Sequence, residues 1–167
     1  QAARFGATIH KEDAIRIDLS RRPFRVETTE RVVTADALVV AMGASAKWLG
    51  LPSEERLTNR GVSACATCDG ALYRGRPMAL AGVRDSAAYE ALFLTRFATK
   101  VSVVHRRDEL RASKIMQERA KKHEKIEFVW NAEVDEILGD DFVTGVRVVD
   151  VNTGEKRELP VEAVLIA

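Results

Sequence analysis

The residues of this sequence with the most chemistry in them are two cysteines, two residues apart. They stand in Cys65-Ala66-Thr67-Cys68-Asp69-Gly70 and are the chain's full complement of cysteine. At the start of a helix this spacing closes a small disulfide ring, and a helix amino end favours thiolate over thiol. Asp69 follows directly, placed to pass a proton to or from a departing thiolate. The pattern predicts a redox-active dithiol. Two other readings stay open here. One is half of a zinc site, although a structural zinc needs four ligands and His10, His105 and His123 are scattered. The other is a pair of inert, buried cysteines.

A second candidate is the turn Gly82-Val83-Arg84-Asp85-Ser86-Ala87, between a short apolar run and a helical pattern. In a dinucleotide-binding turn the first glycine makes the bend and the second lets backbone approach the pyrophosphate. A small last residue lets the helix pack on the sheet. Gly82 and Ala87 fit; Arg84 stands where the second glycine belongs. The alternative is an ordinary strand-to-helix turn. The next strand ends in His105-Arg106-Arg107, with Arg111 one helical turn on. A site for NAD places an acid at this point. Guanidinium forks instead match a phosphate dianion, which predicts a pocket for the 2′-phosphate of NADP(H). The competing reading is a solvated basic loop with Asp108 capping a helix.

These residues need elements to hold them. Residues 1–43 read as strands: Ala14 to Leu19, Phe24 to Thr28, Val32 to Thr34, and a fully buried strand over Ala37 to Ala41 that ends at Gly43. Residues 44–60 read as a connector without a clear period, with Trp48 and Leu49 as its apolar residues; a tryptophan in a connector is more often packed than functional. From Gly61 strands and helices alternate. Strands are predicted at Pro77 to Gly82, Val101 to Val104 and Ile126 to Trp130, and helices at Ser86 to Phe97 and Leu110 to Lys122. This βαβαβ run implies a parallel sheet with right-handed crossovers. Strands follow at Glu133 to Leu138, Val143 to Val151 and Ala163 to Ala167. The fold class is therefore α/β, a Rossmann-like nucleotide-binding domain with a three-stranded β-meander. The order of strands over 134–167 repeats that over 14–41, so a partial second copy is expected at the N-terminus. Together with the lack of an initial methionine, this reads as a chain cut at both ends.

The chain has 167 residues, 46% hydrophobic and 31% charged, with a net charge of +1. Those values are ordinary for a globular protein and give no global field for nucleic acid or membrane binding. No apolar run is long enough to span a bilayer. A single cysteine motif argues for a reducing, cytoplasmic setting over a disulfide framework.

The segment Gly61-Val62-Ser63-Ala64-Cys65-Ala66-Thr67-Cys68-Asp69-Gly70 resembles the active-site segment of low-molecular-weight, bacterial-type thioredoxin reductases. The likeness extends to Gly43-Ala44-Ser45-Ala46, Trp48-Leu49-Gly50, Glu90 to Thr95, His105 to Lys114 and Val143 to Arg147. The resemblance implies a flow of electrons from NADPH to FAD, to Cys65 and Cys68, and on to thioredoxin or a similar small disulfide protein. Asp69 would be the acid. Gly82, Arg84, Asp85, Ser86 and Ala87 with His105, Arg106, Arg107 and Arg111 would hold NADPH, and Gly43 would face the flavin. Residues 1–46 would be the rear part of the FAD domain, 47–160 the NADPH domain, and 161–167 a returning strand. The longer parent would be a homodimer, and this chain alone would be inactive. Departures from the family pattern fall at Met42, Val83, Arg84 and Tyr89. A hydroperoxide reductase flavoprotein, or a non-catalytic nucleotide-binding or interaction module, are the alternative functions.

Overall fold

The computed structural model describes every residue except Ala44, Val83, Arg84, Asp85 and Arg111, and the side chain of Ser86. The expectations placed on Arg84, Asp85 and Arg111 therefore lie outside the described residues. The chain forms two units, 1–44 and 45–167.

In the first unit a 3-10 turn over Ala2–Phe5 precedes three strands, β1 (Ala14–Asp18), β2 (Phe24–Thr28) and β3 (Val32–Ala35). They pair as an antiparallel meander. Glu12 holds its turns: Thr28 Oγ1 donates to one carboxylate oxygen at 2.6 Å, and the Arg31 guanidinium lies 2.7 Å from the other. The expected strand over 37–41 is not there. The stretch is irregular, with Val39 86% and Val40 66% exposed. An apolar strand of this kind needs parallel neighbours on both edges and cover on both faces. The described part of this unit offers only the antiparallel meander.

The second unit opens with α1 (Pro52–Leu57), in a region read as connector. Proline at its first turn is pre-set for a helix. Glu54, almost fully buried, anchors the approach to it by accepting hydrogen bonds from the Leu49 and Gly50 amides, both at 2.9 Å. Then come β4 (Val62–Ser63), α2 (Ala66–Asp69), a 3-10 turn over Gly70–Tyr73, β5 (Pro77–Ala81), α3 (Ser86–Leu94), β6 (Lys100–His105), α4 (Lys114–Lys121) and β7 (Ile126–Trp130). The meander β8 (Ala132–Leu138), β9 (Gly145–Asp150) and β10 (Lys156–Leu159) precedes the last strand, β11 (Ala163–Ile166).

Five strands form an all-parallel sheet in the order β4-β11-β5-β6-β7. β11 thus lies inside the sheet, between β4 and β5. The near-continuous apolar runs of β5, β6 and β11 follow from cover on both faces. Side chains alternate with the pleat. Met78, Leu80, Val101, Val103, Ala163 and Leu165 pack with Ala87, Ala91, Leu94 and Ala98 on the α3 side. Ala79, Ala81, Val104, Val129, Val164 and Ile166 pack with Leu57, Ile137, Val146 and Val148 on the other face. The helix expected over 110–122 begins only at Lys114. The Gln117 side-chain amide donates to the carbonyls of Leu110 and Ala112, at 2.9 and 2.8 Å.

Candidate functional site

The cysteine turn is held from three sides. On one side is β4, which enters through Gly61 at φ +121°. A Cβ there would lie 2.5 Å from Val143 Cγ2 and 3.2 Å from the Glu162 carbonyl oxygen, so only glycine fits. On the second side is α3: a Cβ on Gly70 would lie 2.6 Å from Leu94 Cδ2. Two glycines thus let the turn sit flat on the core. On the third side, backbone bonds to the Cys65 carbonyl come from Cys68 at 3.2 Å and Asp69 at 3.1 Å.

Cys65 has the extended backbone of a helix N-cap and Cys68 lies in the first turn. Their Cα atoms are 5.2 Å apart and a disulfide joins them, a separation within the ordinary range for such a bridge. Cys65 is half-buried and Cys68 exposed. The Thr67 hydroxyl lies 3.6 Å from the Cys65 sulfur.

Behind the disulfide is a polar chain. The Cys65 amide donates to Ser63 Oγ at 3.1 Å, and Ser63 Oγ donates to Asp69 Oδ2 at 2.5 Å. Tyr73 is next to it. Burial first, then the Asp69 charge, hold its phenol above the ordinary tyrosine range, while a hydrogen bond with the Gly61 backbone works the other way. Sequence reasoning placed Asp69 but missed Ser63 and Tyr73. The signal for Ser63 was a hydroxyl two residues ahead of a helix-capping cysteine, a spacing that favours side-chain bonds to the local backbone.

The described dinucleotide candidates of the second unit follow the carboxyl ends of β5 and β6. Gly82 ends β5, and a Cβ there would come within 2.7 Å of Ala167 Cβ and 2.8 Å of its carbonyl oxygen. Ala87 is fully buried in the first turn of α3, which brings the helix close to the sheet. Beyond β6, Arg106 and Arg107 are exposed. His105 is not on that surface: it is 1% exposed, edge-on to Trp130 at 5.8 Å, and its Nδ1 accepts the Arg107 amide at 3.2 Å. Burial makes it the support of the arginine turn. The carboxyl ends of β4, β5 and β6 all face one way. Chain order reverses beside β5, the place where open α/β sheets take ligands. β4 and β5 flank β11, so their ends are about 10 Å apart.

Exposed guanidinium groups such as those of Arg106 and Arg107 are of a type that pairs with phosphate. Gly43 lies in the first unit, exposed at φ +68° with open space around it. Among the described residues of that unit there is no strand-to-helix turn. Among the described residues of the whole chain, no three His, Cys, Asp or Glu gather as a metal site, and no helix is long and apolar enough to cross a membrane.

The thioredoxin reductase of Mycolicibacterium smegmatis is 49% identical over 167 residues, all of this chain and 54% of that protein. A bifunctional thioredoxin reductase/thioredoxin of Mycobacterium leprae is 48% identical, over all of this chain and 37% of its own length. Among solved structures, thioredoxin reductase from Giardia duodenalis superposes with a TM-score of 0.87 at 38% identity, covering 99% of this chain and 55% of the other. The chain thus spans about half the length of the thioredoxin reductases it matches. The family model described as pyridine nucleotide-disulphide oxidoreductase matches residues 3–167, and the chain belongs to that family.

Proposed function

We propose that this chain is the dinucleotide-binding and disulfide-bearing part of a thioredoxin-disulfide reductase. The observation that carries the reading is the Cys65–Cys68 disulfide on the carboxyl edge of a parallel sheet, with Asp69 in the same turn. Arg106 and Arg107 bind the 2′-phosphate, Gly82 and Ala87 shape the turn at the pyrophosphate, and His105 holds the arginine turn from beneath. Arg84, Asp85, Ser86 and Arg111 complete that site in the same reading. When bound, NADPH and FAD supply the hydride and its relay to the disulfide. The chain's own contribution is thiol exchange: one cysteine thiolate attacks a partner disulfide, and the second cysteine resolves the mixed disulfide. Asp69 exchanges a proton with the departing thiolate. Thioredoxin or a similar small disulfide protein is the acceptor, in the cytoplasm, and the longer parent is a homodimer.

The test is stoichiometric. The chain is reduced chemically, freed of reductant and mixed with oxidised thioredoxin. About one equivalent of thioredoxin dithiol appears, with Cys65 and Cys68 reoxidised together in the same peptide. With Cys68→Ser or Cys65→Ser, transfer stops or halts at a mixed disulfide. Failure of the reduced chain to pass electrons, or zinc held tightly by the two thiols, overturns the reading.

A further inference from the structure

We propose that Ser63 is a positioning residue for thiol exchange at Cys65–Cys68, aiming the Asp69 carboxyl group at the disulfide turn. This rests on the reading of Asp69 as the proton donor. Ser63 is buried at the end of β4, where the register pairs it with Leu165. Its hydroxyl has one proton. The oxygen already accepts the Cys65 amide at 3.1 Å, so the proton is directed to Asp69 Oδ2, 2.5 Å away. The direction of the chain is thereby fixed from Cys65 N–H through Ser63 O–H to Asp69. With Oδ2 occupied, Oδ1 is the oxygen left to hold a transferable proton.

In the step itself an incoming thiolate attacks one sulfur of the pair. A new S–S bond forms as the Cys65–Cys68 bond breaks. The incoming sulfur is oxidised, and the leaving cysteine takes the electron pair as a thiolate. The protonated Asp69 carboxyl gives its proton to that thiolate and becomes carboxylate. The second thiol of a dithiol donor then repeats the attack on the mixed disulfide, releasing both cysteines reduced.

Reduction of the full chain by dithiothreitol, at matched thiolate concentration, is timed by acid quench and mass spectrometry of free thiols. Asp69→Asn slows reduction by about a hundredfold. Ser63→Ala slows it by roughly tenfold, through misplacement of the acid. Ser63→Thr, which keeps the hydroxyl, restores the rate. The double variant Ser63→Ala with Asp69→Asn is no slower than Asp69→Asn alone, an outcome that a purely structural role for Ser63 does not produce. If Asp69→Asn reacts as fast as the unaltered chain, the reading of Asp69 falls, and this inference with it. If Asp69→Asn is slow but Ser63→Ala is not, the role of Ser63 alone is refuted. The same holds if Ser63→Thr is as slow as Ser63→Ala, or if Ser63→Ala slows the Asp69→Asn background by its full factor.

Discussion

Gly70→Ala tests how the redox turn is seated on the core. Gly70 has an ordinary right-handed helical backbone, so alanine meets no backbone strain there. The whole effect comes from the new methyl group, 2.6 Å from Leu94 Cδ2, where carbon atoms normally rest about 3.5–4.0 Å apart. Leu94 is fully buried among Ala66, Met78, Leu80 and Ala91 and has no open space to retreat into. Overpacking of this kind costs about 1–3 kcal/mol. Leu94→Ala alone leaves a cavity and costs about 2–5 kcal/mol. In the double variant the methyl at 70 enters the space that Leu94 vacates, so the combined cost falls short of the sum by about 1–2 kcal/mol. Urea unfolding of the four chains measures all three quantities. Additivity within about 0.5 kcal/mol would refute the claim that the turn rests on Leu94.

Other outcomes are expected from the same structure. Arg106→Ala and Arg107→Ala should each remove a charge-assisted hydrogen bond of about 1.5–3 kcal/mol from NADPH but not NADH, narrowing the preference between them in calorimetry, and the double variant should erase it. Lys125 Nζ donates to the carbonyls of Thr95 and Ala98 beyond α3, both at 3.1 Å. Lys125→Met should lower stability by roughly 1–3 kcal/mol in urea unfolding, since it leaves those carbonyls unpaired. For Tyr73, the unfolded phenol loses its proton first, near pH 10, so the unfolded state binds fewer protons there. The contribution of Tyr73 is full below that pH and is lost as pH rises through the higher folded value. Urea midpoints should fall less steeply with alkalinity in Tyr73→Phe than in the unaltered chain. With no strand-to-helix turn among the described residues of the first unit, and hydride from NADPH reaching a disulfide only through a flavin, the purified chain should show no flavin absorbance and no NADPH-driven disulfide reduction.

The parallel sheet was legible because β5, β6 and β11 carry near-continuous apolar runs, and β7 falls on the residues expected for it, Ile126 to Trp130. The same run at 37–41 misled, since burial of an apolar strand depends on neighbours and not on its own letters. α1 was hidden by its polarity: it is tied down by Glu54 and one apolar residue, Leu57, too few to show a period. β10 is short, with three of its four residues exposed, and carries no alternation to read. Within the site, the cysteines and Asp69 are adjacent in sequence and were plain. Ser63 was not, because a lone serine two residues ahead of the first cysteine says nothing by its letter of the two bonds its hydroxyl makes, from the Cys65 amide and to Asp69. His105 was read with the arginines because the letters do not say where β6 stops. Pairing opposite Trp130 carries the strand one residue further and takes the histidine indoors.

The place of β11 inside the sheet has a consequence for how the protein is made. β4 joins the sheet through β11 alone, Val62 opposite Val164 and Ser63 opposite Leu165, about a hundred residues later in the chain. The loop entropy for that pairing is met only after the intervening βαβαβ run and meander have been synthesised. On a ribosome, the segment with both thiols therefore emerges about a hundred residues before the strand that ties it into the sheet. Through that interval β4, just ahead of Cys65 and Cys68, has no strand beside it, and what holds the turn is its seat against α3.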